Sequence, residues 1–222
     1  MNILFVSAPG AGKGTQSKLL EDKYNLISLS TGDLIRKEIS KGGKIGKELN
    51  EIVSNGSLIE DKIVFQLMIK ELENITTLNN NNGIIFDGFP RNIEQAKLFE
   101  IMLEENNINI DYFINLDVDY SIIEQRVLNR LVCNECGKVY NVLINNNKTC
   151  SECKGLLKVR IDDNLNSLKK RFDVYQKITS KLIPYYENRK NTTVISIKIE
   201  KETTIENVFN EIDSYIKEEL YD

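Results

Sequence analysis

Lys13 stands between two glycines in the run Ser7-Ala8-Pro9-Gly10-Ala11-Gly12-Lys13-Gly14-Thr15. That is an arrangement for gripping phosphate. Without a Cβ, glycine lets backbone N–H groups close on an anion, and the lysine adds a point charge toward the β/γ-phosphates. Two positions depart from the usual G-x-x-x-x-G-K-[ST] pattern. Ser7 stands where the first glycine is expected, and Gly14 separates Lys13 from the hydroxyl of Thr15. A tight strand-to-helix turn with an exposed lysine explains one glycine well, but not three around that lysine.

Other stretches fit the same chemistry. Ser30-Thr31-Gly32-Asp33 followed by Arg36 puts a hydroxyl and a guanidinium within about one helical turn, where they can address a phosphate and a sugar or simply start a capped helix. Asp87-Gly88-Phe89-Pro90-Arg91, then Gln95, offers a carboxylate for Mg²⁺, a guanidinium for bidentate phosphate contact and an amide for a base edge. Arg126 and Arg130 are expected at i and i+4 on one helix face, and Arg160 and Arg171 flank Asp162-Asp163. Phosphoryl transfer needs such positive groups because charge develops on the equatorial oxygens. By residue type alone all four arginines could be solvated, and for Arg126 that reading stands.

The cysteines are Cys133, Cys136, Cys150 and Cys153, two C-x-x-C pairs in one short segment. A redox pair is one reading. Two pairs point instead to four thiolates around zinc, a closed and therefore structural site. The segment is too small to bury a core, so metal binding would supply much of its folding free energy, on the order of 10 kcal/mol in small zinc peptides. Histidine is absent, which removes Ser-His-Asp and Cys-His catalysis and histidine-ligated metals.

The elements that must position these residues alternate along the chain. Short apolar runs at 2–7, 24–30, 83–89, 111–118 and 194–199 read as buried strands. Helical patterns follow from Gly14, at 31–58 with a break at Gly42-Gly43, and at 61–75, 92–107 and 121–132. A long one covers 162–190, capped by Asp162 or Asp163 and punctuated by Pro184, and a final one covers 205–220. Alternation of this kind predicts a parallel sheet with helices on both faces. The Asn79–Asn82 run reads as a solvated loop. With 41% hydrophobic residues a real core is expected, and the net charge of −4 argues against non-specific nucleic-acid binding. No apolar run is long enough to span a membrane. The first strand begins at Asn2-Ile3, so no signal or transit peptide is expected.

Taken together, A-P-G-A-G-K-G-T-Q (8–16), F-D-G-F-P-R-x-x-x-Q (86–95), R-x-D-D (160–163) followed by Arg171, and the cysteine quartet resemble the adenylate kinases, in their zinc-containing long-lid form. The Gly14-Thr15 variation is the form found in nucleoside monophosphate kinases. The resemblance covers nearly the whole chain. It implies an α/β P-loop fold, a parallel sheet flanked by helices, with a small helical AMP-binding insert at 30–59 and a zinc-binding lid at 129–163. The core would comprise 1–29, 60–128 and 164–222.

The reaction implied is reversible transfer from MgATP to AMP, giving two ADP and serving adenine nucleotide homeostasis. The catalytic set implied is Lys13, Asp87, Arg91, Arg130, Arg160 and Arg171. ATP would be held by Gly10, Ala11, Gly12, Lys13, Gly14, Thr15, Arg130, Val139 and Tyr140. AMP would be held by Thr31, Arg36, Ser57, Leu58, Ile59, Gly88, Phe89, Pro90, Arg91, Gln95, Arg160 and Arg171. Mg²⁺ would come with ATP, and structural Zn²⁺ would sit on Cys133, Cys136, Cys150 and Cys153. The expected partners are ATP, AMP and ADP, with no nucleic acid or membrane, for a cytoplasmic monomer. A kinase using another nucleoside mono- or triphosphate, a P-loop ATPase switch and a zinc-ribbon nucleic-acid binder are the alternatives. The region 201–203 takes no assignment.

Overall fold

The computed structural model describes residues 1–55, 59–77, 82–143 and 148–221. Ser57, Leu58 and Asn79–Asn81 lie outside the described residues. The elements are β1 (Ile3–Phe5), α1 (Lys13–Tyr24), β2 (Ile27–Ser30), α2 (Thr31–Lys41), α3 (Gly43–Ser54), α4 (Asp61–Thr77), β3 (Ile84–Asp87), α5 (Ile93–Glu105), β4 (Tyr112–Val118) and α6 (Tyr120–Leu128). After these come β5 (Arg130–Cys133), β6 (Val139–Asn141), β7 (Leu157–Lys158), α7 (Leu165–Lys177), α8 (Leu182–Glu187), β8 (Thr193–Ile199) and α9 (Ile205–Tyr221).

Five strands make one parallel sheet in the order β2-β3-β1-β4-β8. Alternate side chains of a strand face opposite ways, so the central strands of a sheet covered on both faces carry apolar residues at successive positions. Leu4, Phe86 and Phe113 join Met68, Leu72, Phe99 and Leu103 of α4 and α5 on one face. Ile3, Phe5, Ile85 and Ile114 join Leu20, Ile123, Ile212 and Ile216 of α1, α6 and α9 on the other. The continuous apolar runs in the sequence thus reflect two cores rather than one.

Two expected helices differ. The helix expected over 121–132 stops at Leu128, with Asn129 as its C-cap, and the chain turns into strand β5. Arg126 and Arg130 therefore do not share a helix face. The reason is tertiary: Val132 pairs antiparallel with Val139 of β6 and Lys158 of β7, while Leu131 packs on the Cys133–Tyr140–Cys150 cluster. The long helix expected over 162–190 begins only at Leu165. Asn164 is its cap, with Oδ1 accepting from the Ser167 amide at 2.9 Å. Asp162 and Asp163 instead accept from arginines. After α7 comes a 3₁₀ turn, Thr179–Lys181, and Pro184 sits in the first turn of α8, where its missing N–H costs no helical bond.

Candidate active site

The phosphate loop leaves β1 in the middle of the sheet and enters α1 at Lys13. Gly10 has φ 83°, and an added Cβ would lie 2.4 Å from a Val127 methyl. Glycine is therefore required there by both backbone and packing. The first helical bonds of α1 run from Thr15 and Gln16 to the Gly12 carbonyl, at 3.0 and 3.1 Å, so the amides ahead of them point out of the helix end. That end, with its partial positive charge, suits an anion.

Lys13 folds back over the loop, its Nζ 3.1 Å from Ser7 O and 4.0 Å from Asp87 Oδ1. Ser7 thus contributes its carbonyl to the loop, as a glycine would. Its own hydroxyl is buried without a hydrogen-bond partner. Burial pulls the Lys13 pKa down, Asp87 pushes it up, and Arg91, Arg130 and Arg171 pull it down further.

Parallel pairing sets Phe5 beside Asp87, so the ends of β1 and β3 open on the same space. The Thr31 hydroxyl donates to Asp87 O at 3.3 Å. Gly88 has φ 87°, and a Cβ there would lie 2.5 Å from that hydroxyl. Arg91 Nε donates to Gly88 O at 2.8 Å, and burial lowers the Arg91 pKa. Gln95 is buried. Its Oε1 accepts from the Arg91 amide at 2.6 Å and its Nε2 donates to Asp61 Oδ1 at 2.5 Å. Arg36, on α2, pairs with Asp33 at 2.5 Å.

Opposite this wall, Arg130 Nε donates to Asp163 Oδ2 at 2.7 Å and its Nη2 to Oδ1, a bidentate pair whose carboxylate is fully enclosed. Arg171 donates from Nη1 to Asp162 Oδ2 and from Nη2 to Asp162 O. Burial alone would raise the Asp162 pKa. The charges of Arg171, Arg160, Arg130 and Arg36 outweigh it and hold the group low. Arg160 is pushed down to about 10 by burial, then by Arg36 and Arg130. Arg160 Nε and Arg171 Nε are buried without a hydrogen-bond partner, as is Asp87 Oδ1.

Lys13, Thr31, Arg36, Asp87, Arg91, Gln95, Arg130, Arg160, Asp162 and Arg171 line one cleft of about 1070 Å³, together with Ile59, Phe89, Pro90, Val139 and Tyr140. Sites for one drug-sized ligand run to roughly 1,000 Å³. The cleft lies at the upper end of that range. Two lining features were not foreseen from the sequence. Arg126 is no solvated arginine: its Nη1 donates to Ala11 O at 3.1 Å. Thr203 and Thr204, between β8 and α9, and Ile205, the first residue of α9, line the cleft as well, and Gln16 Nε2 donates to Ile205 O at 3.0 Å.

The Sγ atoms of Cys133, Cys136, Cys150 and Cys153 lie within 4.8 Å of one another, close enough to hold one metal ion. The two C-x-x-C turns repeat each other. Gly137 N donates to Cys133 O at 3.0 Å, Lys154 N donates to Cys150 O at 3.1 Å, and both donors have positive φ.

A helix end for phosphates, a buried lysine beside a carboxylate, and arginines closing from the far side describe a P-loop enzyme of the nucleoside monophosphate kinase type. Known proteins narrow this further. Residues 5–192 match the family model described as Adenylate kinase. The chain is 40% identical over 192 residues to the adenylate kinase of Thermodesulfovibrio yellowstonii, covering 85% of this chain and 88% of that one. It is 36% identical to that of Clostridioides difficile, covering 96% of each. It is 40% identical to that of Mycoplasma capricolum, covering 98% of this chain and all of that one. The chain belongs to the adenylate kinase family.

Proposed function

We infer that this enzyme reversibly transfers a phosphoryl group from MgATP to AMP, giving two ADP. The observation that carries the reading is the single cleft in which Lys13 and Asp87 face Arg130, Arg160 and Arg171. ATP phosphates would rest on Gly10–Thr15, with Lys13 toward the β/γ-phosphates and Arg130 over them. Val139, Tyr140 and Arg126 would border the ATP base and ribose. AMP would take Thr31, Arg36, the 57–59 segment, Gly88–Arg91 and Gln95, with Arg160 and Arg171 on its phosphate.

Unpartnered Arg160 Nε and Arg171 Nε fit this role, since each is a buried donor that an anion would satisfy. The arginines hold the two phosphate chains in line and stabilise the charge that spreads over the transferred group, a contribution of roughly 10³–10⁵ in rate for one such arginine. Their aspartate partners keep them oriented, and a cleft closed over both nucleotides would exclude water and so suppress hydrolysis. Asp87, a hard oxygen donor whose Oδ1 accepts no hydrogen bond, would hold the Mg²⁺ that comes with ATP, which when bound would neutralise phosphate charge. Zn²⁺ suits the four sulfurs and would serve structure rather than chemistry.

The arrangement supports a division into core (1–29, 60–128, 164–222), AMP-binding insert (30–59) and lid (129–163), the lid moving as a zinc-stiffened unit on hinges near Asn129 and Asp163. We take the enzyme to be a cytoplasmic monomer. Among the described residues, no helix is long and apolar enough to cross a membrane.

The test is transfer from MgATP to AMP, GMP, UMP and CMP, with a control lacking acceptor. Strong preference for AMP with negligible hydrolysis is expected. Preference for another monophosphate would reassign the acceptor, and hydrolysis alone would favour an ATPase switch.

A further inference from the structure

Tyr140 belongs to both of the structure's chemical centres. It lines the nucleotide cleft. Its hydroxyl lies 3.1 Å from Cys150 Sγ, accepts from the Ser151 amide at 3.0 Å, and lies 2.9 Å from Ser151 Oγ. The residue is 9% exposed and packs with Cys133 and Cys150 in the small apolar cluster of the lid. Pairing across β5–β6 sets it opposite Leu131, the residue after Arg130. One residue therefore sets its hydroxyl on a metal-ligand sulfur, packs against the strand that carries Arg130, and lines the cleft.

Proton bookkeeping gives the Tyr140–Cys150 contact a direction. A phenol has one proton and can accept further bonds. Ser151 N already donates to the oxygen. A metal-bound thiolate carries no proton. With metal in place Cys150 can only accept, so the phenol is the donor in that contact and Ser151 Oγ is free to donate to the phenol oxygen. A partner of this kind orients a ligand, and its loss commonly costs roughly 10–100-fold in metal affinity.

We propose that Tyr140 is a positioning residue that couples metal at the four-cysteine cluster to nucleotide in the cleft, each binding event holding the phenol where the other needs it. The proposal rests on the reading that the β6 side of the cleft takes ATP. Coupling between two binding sites is reciprocal. If metal prepares the ATP side, ATP must retain the metal by the same factor.

The experiment follows transfer of zinc from the loaded enzyme to an excess of a chromogenic chelator. Wild type and Tyr140→Phe are compared with and without ATP, with AMP omitted so that no phosphoryl transfer occurs. Phenylalanine keeps the ring and removes only the hydroxyl. In the wild type, ATP is expected to slow zinc loss by about fivefold or more. In the variant, zinc is expected to leave about tenfold faster, and ATP is expected to make no difference. An ATP effect of equal size in both proteins, or none in the wild type, overturns the proposal.

A second measurement needs no variant. In cobalt-substituted wild type, ATP should shift the thiolate-to-cobalt charge-transfer band, and an unchanged band overturns the coupling. ATP binding is measured on the same samples by calorimetry. ATP that binds without moving the band refutes the coupling and leaves the kinase reading intact. Failure to bind ATP refutes both.

Discussion

Replacing Asp163 by asparagine isolates one charge between β7 and α7. The carboxylate is fully enclosed and accepts twice from Arg130, whose side chain is 14% exposed. Asparagine keeps the shape but turns one acceptor into an N–H₂ that faces guanidinium donors. At a charge separation of ~4 Å and an effective dielectric of ~20, the lost attraction is about 4 kcal/mol. Breaking one side of a buried pair costs about 3–5 kcal/mol by comparison. Arg171 Nη2 also approaches Asp163 Oδ1, at 3.8 Å, so a second cation loses part of its balance. Asp162, one residue away and held ionised, offsets some of the loss.

The net expectation for the free enzyme is a destabilisation of about 3–4 kcal/mol, or roughly 6–16 °C in melting temperature for a chain of this size. On the proposed reading, nucleotide phosphates would bring negative charge to the same arginines. Saturating MgATP and AMP should therefore stabilise the variant more than the wild type, and close much of the gap. Turnover should still fall, by roughly 10–100-fold of the rate an arginine can supply, because Arg130 is no longer anchored. Calorimetry with and without nucleotides reads the first effect, and a coupled ADP assay reads the second. A melting temperature within 1 °C of wild type in the free enzyme would refute the argument that this pair is buried and uncompensated.

Gly10→Ala places a methyl 2.4 Å from Val127 and 3.3 Å from Ile123 at positive φ. It should cost roughly 2–5 kcal/mol in denaturant unfolding, combining strain and overpacking, and should raise KM for ATP far more than KM for AMP. Asp213 receives Tyr24 OH at 2.6 Å, Lys23 at 2.5 Å and Lys217 at 2.9 Å. Burial alone would raise its pKa, but these three partners hold it at about 2. Its folded value lies below its unfolded one, so it stabilises above about pH 4 and that stability is lost as pH falls toward 2. The difference between wild type and Asp213→Asn, about 2 kcal/mol at pH 7, should shrink over that range in urea titrations. Stripping zinc, with Mg²⁺ restored, should speed amide exchange across β5–β7 and depress transfer. Unchanged exchange and activity would refute a lid stiffened by metal.

Much of the site was legible because its chemistry is written in local runs. The loop at 7–15, Asp87–Arg91 and the C-x-x-C pairs each bring their groups together over a few residues, and the alternating apolar runs announced a sheet covered on both faces. What escaped depended on distant partners. Leu131-Val132 continues the apolar pattern of α6, and only pairing with 139–141 and 157–158 makes it a strand. A carboxylate just before a helix reads as a cap, and Asp162-Asp163 did. The arginines that claim them instead come from outside that turn. Arg126 read as solvated because its acceptor, Ala11 O, lies 115 residues away in sequence. Gln95 read as a free amide, yet Asp61 and the Arg91 backbone already engage it.

The pairing of Leu4 with Phe86 and Phe5 with Asp87 has a consequence for how the enzyme would fail. Asp87 ends β3, and the loop that leads to Lys13 springs from β1, its hydrogen-bonded neighbour, so the register between the two starting points is quantised. A slip of one residue moves one strand by about 3.3 Å and turns its core side chains the wrong way, and a slip of two opens the site by about 6.6 Å. No intermediate spacing keeps the ladder. Weakening the core, for example at Phe99 or Ile212, should therefore lower the number of competent molecules and leave the speed of each one unchanged. Counted per folded molecule, turnover should run as a plateau that ends at an edge.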